Sequence, residues 1–169
     1  MDDRQRRTEQ RFEFPVPGVP VVDFLYLRRD TDEKAALRDA FGTQVRTNFL
    51  KDLAYNHSHR LLECGFSLRN ITTLANGRVP RGFQVHHIRP LDDGGTNDFS
   101  NLVLIRAHPA HEAVHRYLDP QIHGLECGKT RVVSLPIPEP GIHRPSPRLL
   151  EPFQPSPALV KLGCRFHRR

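Results

Sequence analysis

Hydrophobic positions change their spacing twice along the chain, and the changes divide it into segments. In "RFEFPVPGVPVVDFLYL", prolines at 15, 17 and 20 precede a β-rich run, Val21 to Leu27, which predicts an extended arm with at most one short strand. From Thr31 the period lengthens. Ala36, Leu37, Phe41, Val45, Phe49, Leu50 and Leu53 recur at three-to-four spacing, as on one face of a helix. Thr31 or Asp32 can cap the first turn, Gly42 is expected to separate two helices, and Gly65 to end the second. Ser67 caps a further short helix, followed by the turn residues Asn76-Gly77 and Pro80.

Beyond Pro80 the pattern shortens again. "FQVHHIRPL" and "NLVLIRA" read as two short strands joined by "DDGGTNDFS", whose Gly94-Gly95 pair is turn chemistry. A helix follows with Pro109 near its first position, where a missing N–H has no consequence, and Asp119-Pro120 as its expected stop. "RVVSLPIP" offers one more strand. Residues 136 to 157 then hold eight prolines, too many for a packed helix or a central strand. The chain therefore reads as an α+β protein in four parts: an extended arm over 1–30, a helical region over 31–78, a strand–loop–strand–helix unit over 79–118 and a basic, proline-rich extended tail over 119–169.

Composition adjusts this picture in three places. A length of 169 residues suits one domain with extensions, able to bury a modest core. The net charge of +6 is localised: residues 1–127 carry 17 Lys/Arg against 17 Asp/Glu, whereas 128–169 carry eight basic residues and two acidic ones, a tail suited to tethering phosphate. Cys64, Cys127 and Cys164 are an odd number, far apart and without a C-x-x-C pair, so neither a disulfide framework nor a zinc ribbon is indicated, and reduced, buried thiols are expected. No apolar run approaches the roughly 20 residues that span a bilayer, and Met1 to Glu13 is charged where a signal peptide would be apolar. The expectation is a soluble chain without a membrane partner, cytoplasmic in the cell that makes it.

Five of the ten histidines, His86, His87, His108, His111 and His115, fall between 86 and 115. His111-Glu112-Ala113-Val114-His115 fits the H-E-x-x-H pattern of zinc proteases, whose helical pair lies on one face and binds one ion. A protease would need Glu112 as base and a third ligand downstream. The metzincin extension requires Gly at 118 and His at 121, and these positions are Leu118 and Gln121. Glu112 is equally accounted for as an acid in a first helical turn. The third ligand is better sought upstream, where His86 and His87 are adjacent on a strand. Neighbours there point to opposite faces, so only one can join the helical pair. The other is left for a second task, and a neutral imidazole suits proton abstraction from water. Spacing alone does not say which is which.

"QVHHIRPLDDGGTNDFSNLVLIRAHPAHEAVH" resembles the HNH nucleases of the ββα-metal class, in particular colicin and pyocin DNases and the toxin modules of polymorphic and type VI effector systems. The pattern is His86-His87, thirteen residues, Asn101, nine residues, His111, three residues, His115, within roughly Val79 to Leu118. The resemblance implies a ββα-metal core of antiparallel hairpin and one helix, with His86, His111 and His115 as ligands of one divalent metal ion. It further implies His87 as general base and Asn101 as the residue that ties the loop between the strands. Many bacteriocin relatives carry a Glu three residues before the base, where this chain has Gln84. Three imidazoles suit zinc, nickel or manganese, while abundant magnesium is also used by some relatives.

The implied reaction is hydrolysis of DNA phosphodiester bonds with little sequence preference, with no small-molecule substrate. Arg81, Arg89, Arg106 and Arg116, together with Arg78, are candidate phosphate contacts. The toxin relatives imply a cognate immunity protein and delivery by a dedicated system into a target cell. The other readings are an HNH enzyme of restriction, phage or repair, and a non-catalytic, metal-stabilised nucleic-acid-binding module.

Overall fold

A computed structural model describes residues 16 and 19–143; the charged stretch at the N-terminus and the proline-rich stretch beyond 143 lie outside the described residues. The element order is β1 (Val21–Leu27), α1 (Thr31–Ala40), α2 (Arg46–Asn56), α3 (Ser58–Glu63), α4 (Leu68–Ala75), β2 (Phe83–His87), β3 (Leu102–Arg106), α5 (Glu112–Ile122), β4 (Thr130–Pro136) and β5 (Gly141–Ile142). The protein is α+β. Among the described residues no helix is long and apolar enough to cross a membrane.

Two sheets organise the described residues. β2 and β3 form an antiparallel hairpin whose register sets His86 opposite Val103 and His87 opposite Leu102. β5 adds to β3 in parallel, so the order is β2-β3-β5. The pleat sends alternate side chains to opposite faces. Leu102 and Leu104 join a core with Phe49, Leu50 and Leu53 of α2, Leu61 of α3 and Leu74 of α4, against which Phe83 and Val85 pack. Val103 and Ile105 point the other way, into a second cluster with Ile88, Ala110 and Ala113 at the start of α5. The hairpin is thus sandwiched between helices, which explains why "LVLI" in β3 is apolar at every position.

The second sheet is a two-stranded ribbon, β1 antiparallel to β4, with Val21 opposite Pro136 and Leu27 opposite Thr130. One face of it covers α5 through Tyr26, Val133, Leu135 and Leu118. The strand that "RVVSLPIP" suggests is β4, while residues 141–142, which composition places in an extended tail, are also sheet, because each strand finds a partner distant in sequence. Within the arm, the strand Val21–Leu27 is likewise paired along its whole length.

Four local expectations are corrected. Asp30 caps α1, its carboxylate accepting from the N–H groups of Asp32 and Glu33 at 2.9 and 3.3 Å, in place of Thr31 or Asp32. Gly42 does not separate helices. It lies in a wide π-type turn, Phe41–Val45, that carries α1 into α2 without a break, and the chain leaves helical geometry only at His57 (φ −129°). α5 runs through Asp119-Pro120 to Ile122. Pro120 removes one donor near the helix end, and the neighbouring turn is held from outside: the Gln121 side chain donates to Tyr117 O at 2.9 Å and to Ser134 O at 3.0 Å, and accepts from Ser134 N at 2.8 Å. Cys127 is exposed, against the expectation of a buried thiol.

The loop between β2 and β3 is tied to β1 and the start of α1. Arg28 pairs with Asp92, Arg29 N donates to Asp92 O at 2.6 Å, and Leu27 N donates to the buried Asp93 carboxylate. Gly95 is packed so closely beneath Arg89 that an added Cβ would stand 2.0 Å from Arg89 O and 2.6 Å from Pro90 O. Gly95→Ala must therefore shift backbone, at a cost of about 1–3 kcal/mol. It is expected to lower Tm by several degrees. Thermal denaturation beside Gly42→Ala, where an added Cβ meets nothing within 4 Å, checks this. Equal melting of the two variants would contradict the close packing.

Candidate metal centre and its flanking histidine

His86 sits near the C-terminal end of β2 on the face that looks at α5, and it is buried. His111 and His115 come from the facing helix one turn apart. His108 is extended (φ −124°, ψ 136°), so the helical run starts at Pro109 and presents both rings toward the sheet. One nitrogen from each of His86, His111 and His115 lies within 4.8 Å of the others. The ring centroids are 5.2, 5.6 and 4.6 Å apart.

Three imidazoles facing one another suit either repulsive cations or a shared ion. Burial and the two neighbouring rings push His86 down to about 3, and burial with the nearby His115 lowers His111, so these rings are neutral donors at neutral pH. Nε2 of His86 is buried and has no hydrogen-bond partner among the described residues. A buried ring nitrogen without a partner is costly, and a metal ion is the partner this donor set fits. His115 Nδ1 lies 3.4 Å from Asp119 Oδ1, a carboxylate placed to orient the ring and leave Nε2 for the ion. Glu112 points elsewhere, toward His108 at 3.1 Å and Arg116 at 3.5 Å. A shallow groove runs along this edge, lined by His111, Glu112, His115, Arg116, Asp119 and His123.

His87 is the next residue and faces the opposite side, against α1. Its Nε2 lies 2.9 Å from Asn97 Oδ1, and its ring centroid is 4.5 Å from that of Phe41. Burial pushes its pKa down, the Asn97 bond opposes this, and the Arg38 guanidinium adds to the depression. Asn101 ties the loop: Oδ1 accepts from Arg89 N at 2.8 Å, while Nδ2 donates to Arg89 O at 3.0 Å and Thr96 O at 2.8 Å. His86 and His87 thus stand at one edge of the sheet, with backbones about 3.8 Å apart and side chains on opposite faces.

The arginines divide. Arg116 is exposed beside the histidine cluster. Arg89 is engaged internally, its Nε donating to Asp93 O at 2.7 Å and its guanidinium 4.5 Å from the Phe24 ring. Arg106 lies over Phe83 at the far end of the hairpin, and Arg81 just precedes that end. Arg78 is exposed after α4. Sequence reasoning missed Asn97, Arg38 and Asp119. Asn97 lies in "GGTND", which reads as turn chemistry. Arg38 approaches from a helix almost fifty residues away in sequence.

Residues 63–108 match the HNH endonuclease family. This segment resembles an HNH endonuclease domain. The match takes in His86, His87 and Asn101 and stops short of His111 and His115. The chain is also 32% identical over 134 residues to "Uncharacterized protein YhhZ" of Escherichia coli (strain K12), an alignment covering 79% of the chain and 33% of that protein. The chain thus spans about a third of this relative's length. No solved structure matches it significantly.

The donor set of His86, His111 and His115 predicts one Zn²⁺ or Ni²⁺ per chain. By titration calorimetry, His86→Ala and His111→Ala should each weaken binding by at least 100-fold, whereas His87→Ala, on the other face, leaves it within a few-fold. Undiminished affinity in His86→Ala would remove His86 from the centre.

Proposed function

We propose that the protein is a metal-dependent endonuclease that hydrolyses DNA phosphodiester bonds with little sequence preference. The observation that supports this best is the division of labour at one sheet edge: three imidazoles converge on one face, and a single partly buried imidazole stands on the other. In this reading the hairpin and α5 are the ββα-metal core, and His86, His111 and His115 hold one divalent ion. When bound, such an ion stabilises negative charge developing on a scissile phosphate and on the leaving oxygen.

His87 is the general base. The Asn97 amide is oriented by its other end, where Nδ2 donates to Leu37 O at 2.9 Å. Oδ1 therefore faces His87 and can only accept, which leaves Nε2 as the protonated ring nitrogen and Nδ1 with the lone pair. Nδ1 is the atom that takes a proton from water. Asn101 keeps the loop carrying Asn97 closed on β2, so that the ring does not swing. Arg116 and Arg38, exposed on the two sides of the edge, are placed to contact phosphates, and Arg81 and Arg106 suit a longer duplex tracking along the hairpin. Such contacts position nucleic acid without reading bases, which supports sequence-tolerant cutting.

The setting proposed is an antibacterial effector, with this chain as the nuclease portion and a cognate immunity protein as partner. It rests on the toxin-like histidine pattern and on a relative of which the alignment covers only a third. Supercoiled plasmid incubated with the chain and Mg²⁺, Mn²⁺, Ni²⁺ or Zn²⁺ tests the activity. Nicking is expected, abolished by EDTA and slowed about 10² to 10⁴-fold in His87→Ala with metal still bound. An intact plasmid with every metal, in protein shown to be folded and loaded, would favour the non-catalytic binding module.

A further inference from the structure

α1 lies outside the segment that matches the HNH family, yet its C-terminal end meets the flanking histidine at two points. The carbonyl of Leu37 accepts from Asn97 Nδ2 at 2.9 Å, and Asn97 Oδ1 lies 2.9 Å from His87 Nε2. One residue after the helix, the Phe41 ring lies 4.5 Å from the His87 ring at an interplanar angle of 58°. Phe41 opens the π-type turn that passes α1 into α2, and π turns of this kind often mark functional sites. The loop bearing Asn97 is bound to the same end of the chain by the Lys34–Asp92 pair at 3.4 Å and by Arg29 Nη1 donating to Gly95 O at 3.0 Å.

We propose that α1 and its π turn are a working part of the catalytic apparatus, with Asn97 as a positioning residue that relays the backbone of α1 to the ring of His87. The inference rests on the nuclease reading for its meaning, though not for its geometry. An Asn that only braced its own loop would satisfy its amide within that loop, as Asn101 does through Arg89 and Thr96. Asn97 instead spends its donor on a helix 60 residues away and its acceptor on the histidine. A side chain held at both ends fixes the ring plane of His87 as well as its position. Phe41 closes one side of the ring, so the exposed nitrogen has one direction in which to meet water. Each feature restricts orientation, and misplacing a reacting group by about an ångström can slow a reaction on the order of 10²-fold.

The test uses the whole chain loaded with Zn²⁺ and labelled with ¹⁵N-histidine, the His87 signals being assigned by their absence in His87→Ala. In the unsubstituted protein the His87 Nε2–H should be visible and protected from exchange with water. Asn97→Ala should lose that protected signal while Zn²⁺ affinity and melting stay near those of the unsubstituted chain. On plasmid, kcat should fall about 10- to 100-fold with KM little changed. Phe41→Leu, which keeps apolar volume, should broaden the same signal and lower kcat several-fold, and it carries the test if Asn97→Ala does not fold. A protected His87 signal that survives in the substituted proteins, or a kcat within two-fold of the unsubstituted value, overturns the proposal. Absence of cleavage by the unsubstituted chain strikes the nuclease reading alone, since the ring signal decides the clamp by itself.

Discussion

The constraint on which the site depends is the two-residue repeat of a β-strand. His86 and His87 are consecutive, and the pleat sends one to α5 and the other to α1. A helix in place of β2 would separate them by about 100° on one cylinder, and neither division of chemistry would exist. The same repeat divides β3: Val103 and Ile105 pack toward α5, Leu102 and Leu104 toward α2, α3 and α4. Packing on both faces holds the strand in register, so the apolar residues and the histidines are positioned by one device. A slip of one residue would exchange the roles of the two rings and bury polar groups in both cores.

That sheet edge needs a rigid loop, and several long-range polar contacts from β1 and α1 converge on it. Asn101 closes the loop on Arg89 and Thr96, Asp93 accepts from β1, and Asp92 receives Arg28 and Lys34. Arg28 is only about one-fifth exposed, as is Asp92, so their pair is less screened than an ordinary surface ion pair. Asp93 is fully buried, and desolvation raises its carboxyl above the usual range despite the donors around it. The segment from β1 into α1 is thus a strap over the loop. It is held in turn by β4, which arrives from more than a hundred residues later in the chain.

Local pattern made much of this legible. The three-to-four spacing from Ala36 to Leu53 names residues that the structure packs together, Phe49, Leu50 and Leu53 among them. The alternating reading of "FQVHH" and the turn chemistry of Gly94-Gly95 place the hairpin, and Ser67 caps α4 through its hydroxyl as its position suggests. Each rests on interactions between residues near in sequence. Gly42 misleads because a flexible residue permits a break without requiring one; here tertiary packing carries the helix through. Pro120 misleads for a related reason: the turn it weakens is supported by β4 through Gln121, a contact the local sequence cannot announce.

The hairpin strands and the helical periodicity that packs α2, the spacing of His86, His87, Asn101, His111 and His115, and the chemistry those residue types can perform all follow from local periodicity and side-chain composition. Only the contacts between distant segments show which of the adjacent histidines joins the helical pair, that α1 reaches His87 through Asn97, and that the half-exposed Arg89 is held by Asp93 and lies over Phe24. They also show that Val21–Leu27 and Thr130–Pro136, each marginal as a lone strand, pair along their full length. These are contacts between segments far apart along the chain. Their free energy depends on what the rest of the fold brings opposite each residue, and no window of sequence contains that information.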